Sequence, residues 1–176
     1  RFYGWVDENW LQSVWTKGKM SYKSNIVKKP WGHEYLAYEN DHVGLWFLHI
    51  EKGQQTSMHC HPKKTTGLVL LDGEAEVSFL ADKRQIQSLD KVMIRRGLFH
   101  STKALSDNGA FIFEIETPRD KHDLVRLNDS YGRASKPYED SWFESTKSPE
   151  CLGVEEPSPN LFISYNFAGC NLLVEK

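Results

Sequence analysis

The chain has 176 residues and a formal net charge of −2 at pH 7. This length suits one domain with a core of its own, and charges of both signs scattered along the chain exclude nucleic acid and an anionic membrane surface as the main partner. No apolar run is long enough to span a bilayer, and three cysteines, an odd number, do not make a disulfide framework. We therefore expect a cytoplasmic protein.

Residues 1–27 are rich in tryptophan and are predicted to form an extension before the main domain. Leu11, Val14 and Trp15 have the spacing of one helical face, which predicts a short amphipathic helix. The aromatic side chains would cover the outside of the domain or a subunit interface; the alternative is a surface on which sugars stack.

Residues 28–134 have the pattern of a β domain. Short runs of β-branched and aromatic residues recur there, and turn sequences such as Asp72-Gly73 and Ser106–Gly109 separate them. The predicted strands are 44–51, 56–61, 67–71, 75–80, 85–88, 91–95, 98–103 and 110–117. Eight strands without a long helix predict an all-β fold, an antiparallel jelly-roll barrel.

Residues 135–176 form a C-terminal extension that prolines punctuate, with one further predicted strand at Leu161–Phe167. This strand would extend a sheet edge or cross to a partner subunit. Together with the aromatic N-terminal segment it would leave apolar surface on a monomer, which predicts a two-fold homodimer.

Two histidines separated by one residue provide the strongest sign of a functional site. In an extended segment the side chains of His59 and His61 project to the same face, as two ligands of a metal ion would. A third imidazole is available from His100. We expect these three side chains to bind a divalent metal, either zinc, manganese, nickel or iron.

Both segments resemble the two-part signature of the cupin superfamily, which implies a double-stranded β-helix, or jelly-roll barrel, around the metal. The first part has a glycine, H-x-H, a glutamate and a second glycine; the second part has a glycine and then P-x-G-x-x-H. The residues in register with this signature are Gly53, His59, His61, Gly73, Gly97 and His100. The chain departs from it at three positions, with Thr66 for the glutamate, Leu89 for the glycine that opens the second part and Arg95 for the proline.

Within that superfamily, the chain resembles the cupin domain of type II mannose-6-phosphate isomerases over roughly residues 28–134. The matching segments are Pro30-Trp31-Gly32, Ile115-Glu116 and Asp123–Arg133, the last with the pattern D-x-V-R-x-x-D-x-Y-G-R. The resemblance implies an isomerase or epimerase of a phosphorylated or nucleotide-linked sugar in carbohydrate or polysaccharide biosynthesis. The alternatives are a non-catalytic sugar-binding or regulatory cupin and a three-histidine iron oxygenase.

Such a reaction needs a base and a group that holds the anionic part of the sugar. Glu114 and Glu116 share one face of a predicted strand and are the candidate catalytic residues, although solvent-exposed carboxylates would fit the same pattern. We expect Arg133, Arg126 and Lys64 to bind the substrate. The alternatives are that Asp123, Arg126, Asp129 and Arg133 pair with one another, and that Lys63 and Lys64 lie in a solvated loop.

Overall fold

The structure is a computed structural model and describes residues 25–134, 136, 138, 143–145 and 152–175. In that part of the chain every regular element is a β-strand, which confirms the predicted all-β class. The helix predicted around Leu11 and Trp15 falls outside the described residues. No helix in the described part of the chain is long and apolar enough to cross a membrane.

The described strands are β1 (Asn25–Lys29), β2 (Gly32–Glu39), β3 (Gly44–Ile50), β4 (Met58–Cys60), β5 (Thr65–Asp72), β6 (Glu74–Phe79), β7 (Lys83–Gln87), β8 (Lys91–Ile94), β9 (His100–Ala104), β10 (Ala110–Thr117), β11 (Val125–Asn128), β12 (Phe143–Ser145), β13 (Phe162–Phe167) and β14 (Cys170–Glu175). Each of the eight predicted barrel strands overlaps one of β3 to β10. The barrel was predicted to begin at residue 28. The strand β1 begins at Asn25 and pairs with β2, so the barrel sheet includes residues 25–27 as well.

Two antiparallel sheets form the barrel. One has seven strands in the order β12-β1-β2-β3-β10-β5-β8, and the other has five in the order β11-β4-β9-β6-β7. Side chains such as Leu48, Leu70 and Ile112 point from the larger sheet into the main core, where they meet Val77 and Ile86 of the smaller one. This two-sheet arrangement is that of a jelly roll.

A second apolar cluster lies on the outer face of the seven-stranded sheet. There the hairpin β13–β14 packs against outward-facing aromatic rings; the centroid of Phe167 lies 4.7 Å from that of Phe47 and 6.3 Å from that of Phe111. The predicted strand at 161–167 therefore exists as β13, but it covers a face of its own barrel instead of extending a barrel sheet edge. Because β3 is covered on both faces, its sequence is apolar almost throughout. The homodimer stays a prediction.

Candidate metal centre

The structure brings the three predicted metal ligands together. His59 lies in β4 and pairs directly with His100 at the start of β9, while His61 follows β4 by one residue. The ring nitrogens that the three side chains offer all lie within 4.8 Å of one another. The group can thus hold a metal ion.

Main-chain carbonyl groups fix the orientation of all three imidazole rings. Each Nδ1–H donates to one carbonyl oxygen: that of His59 to Ser57 at 2.7 Å, that of His61 to Asp123 at 2.6 Å, and that of His100 to Leu98 at 3.0 Å. A carbonyl oxygen can only accept, so the proton sits on Nδ1 and each Nε2 keeps its lone pair. This arrangement is typical of histidines that bind metals.

The three imidazoles are neutral at physiological pH. Burial, reinforced by the charge of Lys64, lowers the pKa of His61 to about 3. Burial likewise lowers the pKa of His100 to about 4, and burial together with the neighbouring His100 lowers the pKa of His59 well below its usual value. Because a metal binds the neutral imidazole, this donor set fits a divalent transition metal without a competing proton.

Buried acidic and basic side chains form a second polar group on the seven-stranded sheet. Lys121 Nζ lies 2.6 Å from Glu116 Oε1 and 3.6 Å from both Glu114 Oε1 and Glu34 Oε1. Lys64 Nζ lies 3.2 Å from the other oxygen of Glu116. We call these five residues the carboxylate–lysine cluster.

The two carboxylates of β10 differ in their affinity for a proton. Burial alone would raise the pKa of Glu116, but Lys121 and Lys64 outweigh it and lower that pKa to about 2. Burial raises the pKa of Glu114 to about 7; Lys121 opposes the shift, and the charge of Glu116 adds to it. Glu116 is therefore ionised, whereas Glu114 can gain or lose a proton near neutral pH.

One cavity connects the two groups. It has a volume of about 660 Å³, counted out to its open mouth, and its lining includes all three histidines, Glu114 and Lys121. Glu116 is absent from that lining, and its side chain is fully buried. Glu114, whose carboxylate can gain or lose a proton, thus faces the cavity, whereas the ionised Glu116 does not.

Comparison with known proteins identifies the fold. No protein-family model matches the chain, and no curated protein matches it. Among solved structures, an RmlC-like cupin from Shewanella frigidimarina superposes with a TM-score of 0.51 at 13% identity, over 58% of this chain and 91% of that one. The chain has the cupin fold.

Two further solved structures agree with the cupin fold. KdgF from Halomonas sp. has a TM-score of 0.51 at 16% identity, over 54% of this chain and 88% of its own. The oxalate decarboxylase of Lactobacillus farciminis, in a formate complex, has a TM-score of 0.51 at 16% identity, over 58% of this chain and 33% of its own. At such low identity these similarities establish the fold and leave the reaction open.

The residues predicted to bind substrate also line the cavity of the cupin barrel, but each has a partner within the protein. Arg133 directs Nε and Nη2 at the carboxylate of Asp129, with Nη2 to Oδ1 at 2.6 Å. Arg126 donates from Nη1 to the carbonyl oxygen of Lys136, and Lys64 pairs with Glu116. The pairing of Arg133 with Asp129 is one part of the alternative in which the charged residues of this segment pair with one another.

Two departures from the cupin signature have a structural counterpart. Leu89 stands at the place of a glycine and adopts φ 71°, in the left-handed region that glycine enters without strain. Thr66 stands at the place of the glutamate, faces the interior with its hydroxyl oxygen unbonded among the described residues, and pairs across the sheet with Glu116. A carboxylate is thus present beside position 66, on the neighbouring strand.

Four polar residues that line the cavity were not predicted from the sequence: Glu34, Lys121, Lys29 and Tyr138. Glu34 accepts a hydrogen bond from the Tyr138 hydroxyl, and Lys29 Nζ lies 3.8 Å from its Oε1. The position of Glu34 gave one usable signal, since it shares the inward face of β2 with the core residue Leu36. Lys121 lies in a connection without periodic pattern, so no local signal indicated its burial.

Proposed function

We propose that the protein is a metal-dependent isomerase or epimerase of a phosphorylated or nucleotide-linked sugar. The observation that carries the proposal is the placement of Glu114, whose pKa is about 7, in the same cavity as three neutral imidazoles. General acid–base catalysis is most efficient when the pKa of the group lies near the working pH. The sugar class rests on the resemblance to mannose-6-phosphate isomerases.

The all-imidazole donor set favours zinc, nickel or iron over manganese, which prefers oxygen ligands. When bound at His59, His61 and His100, such a metal would supply a Lewis acid that polarises a carbonyl oxygen of the sugar.

Glu114 is the group that would move the proton. In an isomerisation its carboxylate would take the proton from the carbon next to the carbonyl and return it to the carbonyl carbon, while the hydroxyl proton of the first carbon passes to the former carbonyl oxygen. Lys121, 3.6 Å away, would stabilise the carboxylate whenever it is unprotonated. Glu116 would remain ionised and hold the ammonium groups of Lys64 and Lys121 in place.

The charge of the cavity supports an anionic substrate. When Glu114 is ionised, the ammonium groups of Lys29, Lys64 and Lys121 balance the carboxylates of Glu34, Glu114 and Glu116. A divalent metal at the three histidines would then give the cavity a positive surplus, and such a site attracts an anion. A phosphate on the sugar provides the matching charge.

Turnover of a panel of sugar phosphates and nucleotide-linked sugars tests the proposal. In the parent protein, kcat/KM for the accepted substrate should rise with pH through about 7 as Glu114 loses its proton. Glu114→Gln keeps the size of the side chain but cannot accept the proton, so kcat should fall by about 10²- to 10⁴-fold. Glu76→Gln, on the outward face of the barrel strand β6, is the matched control and should leave kcat unchanged.

An equally active Glu114→Gln variant would contradict the role of this residue. A parent protein that binds the sugar phosphate but does not convert it would be a non-catalytic sugar-binding cupin. Oxygen consumption with a thiol in the iron-loaded protein would instead identify the oxygenase alternative.

A further inference from the structure

The connection between β10 and β11 reaches both halves of the site. It runs from residue 118 to residue 124, between the last residue of β10 and the first of β11. Lys121 extends from it into the carboxylate–lysine cluster, and Asp123, two residues later, reaches the metal centre. No regular secondary structure fixes this segment, so its side-chain contacts determine where these groups lie.

Asp123 makes three hydrogen bonds to the turn between β4 and β5. Its Oδ2 accepts from the backbone N–H groups of Lys63 at 2.8 Å and Lys64 at 2.9 Å. Its own carbonyl oxygen accepts from Nδ1 of His61 at 2.6 Å. Asp123 is buried, so these bonds lie away from solvent and are charge-assisted where the carboxylate accepts.

These contacts close a ring of four residues. The Asp123 carboxylate binds the backbone of Lys64, whose ammonium group pairs with Glu116. Glu116 pairs in turn with Lys121, which the connection joins to Asp123, and His61 is attached to the ring through the Asp123 carbonyl. A shift of Asp123 would therefore move a metal ligand and a member of the cluster together.

We propose that Asp123 is a positioning residue, which fixes the His61 imidazole and the Lys64 backbone in one arrangement and so couples the metal centre to the carboxylate–lysine cluster. This inference rests on the metal site of the proposed function. It gives Asp123 a role that differs from the pairing with Arg126, Asp129 and Arg133 considered for this segment. Residues that orient metal-bound histidines typically change metal affinity by 10- to 100-fold when they are lost.

The test compares Asp123→Ala and Asp123→Asn with the matched control Asp120→Ala. Asp120 belongs to the same connection, and its carboxylate accepts one backbone hydrogen bond, from the N–H of His122 at 3.0 Å. Its main-chain carbonyl accepts from the N–H of Asp123, a bond that the substitution retains, and Asp120 does not line the cavity. Metal-free samples of each protein are titrated with Co²⁺ to obtain its Kd. The ¹⁵N shifts of the His61 ring in the metal-free state report which nitrogen carries the proton.

Asp123→Ala keeps the main-chain carbonyl that accepts from His61 but loses the carboxylate that anchors it to the Lys63 and Lys64 backbone. We therefore expect the Kd for Co²⁺ to rise by about 10-fold, the lower end of the range for a lost orienting contact, with the His61 proton no longer confined to Nδ1. Asp123→Asn keeps an acceptor but not the charge, so its Kd should rise only about threefold. Asp120→Ala should bind Co²⁺ like the parent protein. If Asp123→Ala does not fold, the comparison of Asp123→Asn with Asp120→Asn decides in the same way.

Unchanged Co²⁺ affinity and an unchanged His61 tautomer in the folded Asp123 variants would overturn the proposal and leave Asp123 a purely structural residue. Both measurements are independent of turnover. A parent protein that binds Co²⁺ but converts no sugar would therefore remove the proposed function and leave the role of Asp123 standing.

Discussion

Replacing Lys121 by methionine should destabilise the protein more than any loss of a surface charge. Methionine keeps an unbranched stem of similar length but has no ammonium group. The substitution would leave Glu34, Glu114 and Glu116 buried with two lysines instead of three, and it would remove the cation that lies 3.8 Å above the Trp46 ring.

The size of the effect follows from burial. The Lys121 side chain is 9% exposed and that of Glu116 is fully buried, so water screens their 2.6 Å contact little. Removing one partner of such a pair typically costs about 3–5 kcal/mol when the other charge stays buried and uncompensated. Lys64 would still pair with Glu116, so we expect a loss near the lower end, about 3 kcal/mol. That is a large part of the roughly 5–15 kcal/mol that stabilises a folded domain.

The dependence on pH has a definite sign. In the parent protein the pKa of Glu116 is about 2, below the ordinary value of 4.5, so its ionised form contributes stability that is present above about 4.5 and lost as the pH falls to about 2. Without Lys121 that pKa rises and the contribution shrinks. The difference in stability between parent and variant should thus be largest near pH 7 and diminish as the pH is lowered toward 3.

Urea unfolding followed by tryptophan fluorescence, at pH 7 and at pH 3, measures these differences. Lys83→Met is the matched control, because Lys83 also pairs with a glutamate at 2.8 Å but its side chain is 67% exposed; it should cause no measurable loss. A Lys121→Met variant as stable as the control at pH 7, or a loss that does not change with pH, would refute the argument from buried charge.

Two further predictions concern the metal ligands and the arginines. His61→Ala should purify with less metal than the parent protein when both are prepared without chelator and analysed by mass spectrometry, because two imidazoles remain; equal metal content would rule out the three-histidine site. Arg133→Lys should lower the melting temperature by about 5 °C, since lysine cannot make the forked contact with Asp129; an unchanged melting temperature with weaker sugar-phosphate binding would instead support the predicted substrate role.

The sequence by itself determined most of the barrel and two of the three candidate metal ligands. Alternating apolar residues and turn sequences located the strands β3 to β10, because they reflect which residues face the core and where the chain must reverse. His59 and His61 share a face because side chains alternate along an extended strand. The assignment of His100 as the third ligand needed the resemblance to cupins, since no local pattern tells which distant strand lies beside β4.

Only the tertiary structure decided how the charged residues divide their roles. Glu114 and Glu116 look equivalent in sequence. In the structure two lysines keep Glu116 ionised, whereas burial raises the pKa of Glu114 to about 7. Lys121 and Asp123 lie in a connection without periodic pattern, and their contacts join distant positions of the chain, such as Lys121 to Glu34 and Asp123 to His61. Burial and charge compensation depend on which side chains meet across the barrel, and that depends on the packing of the two sheets and not on any one segment of the chain.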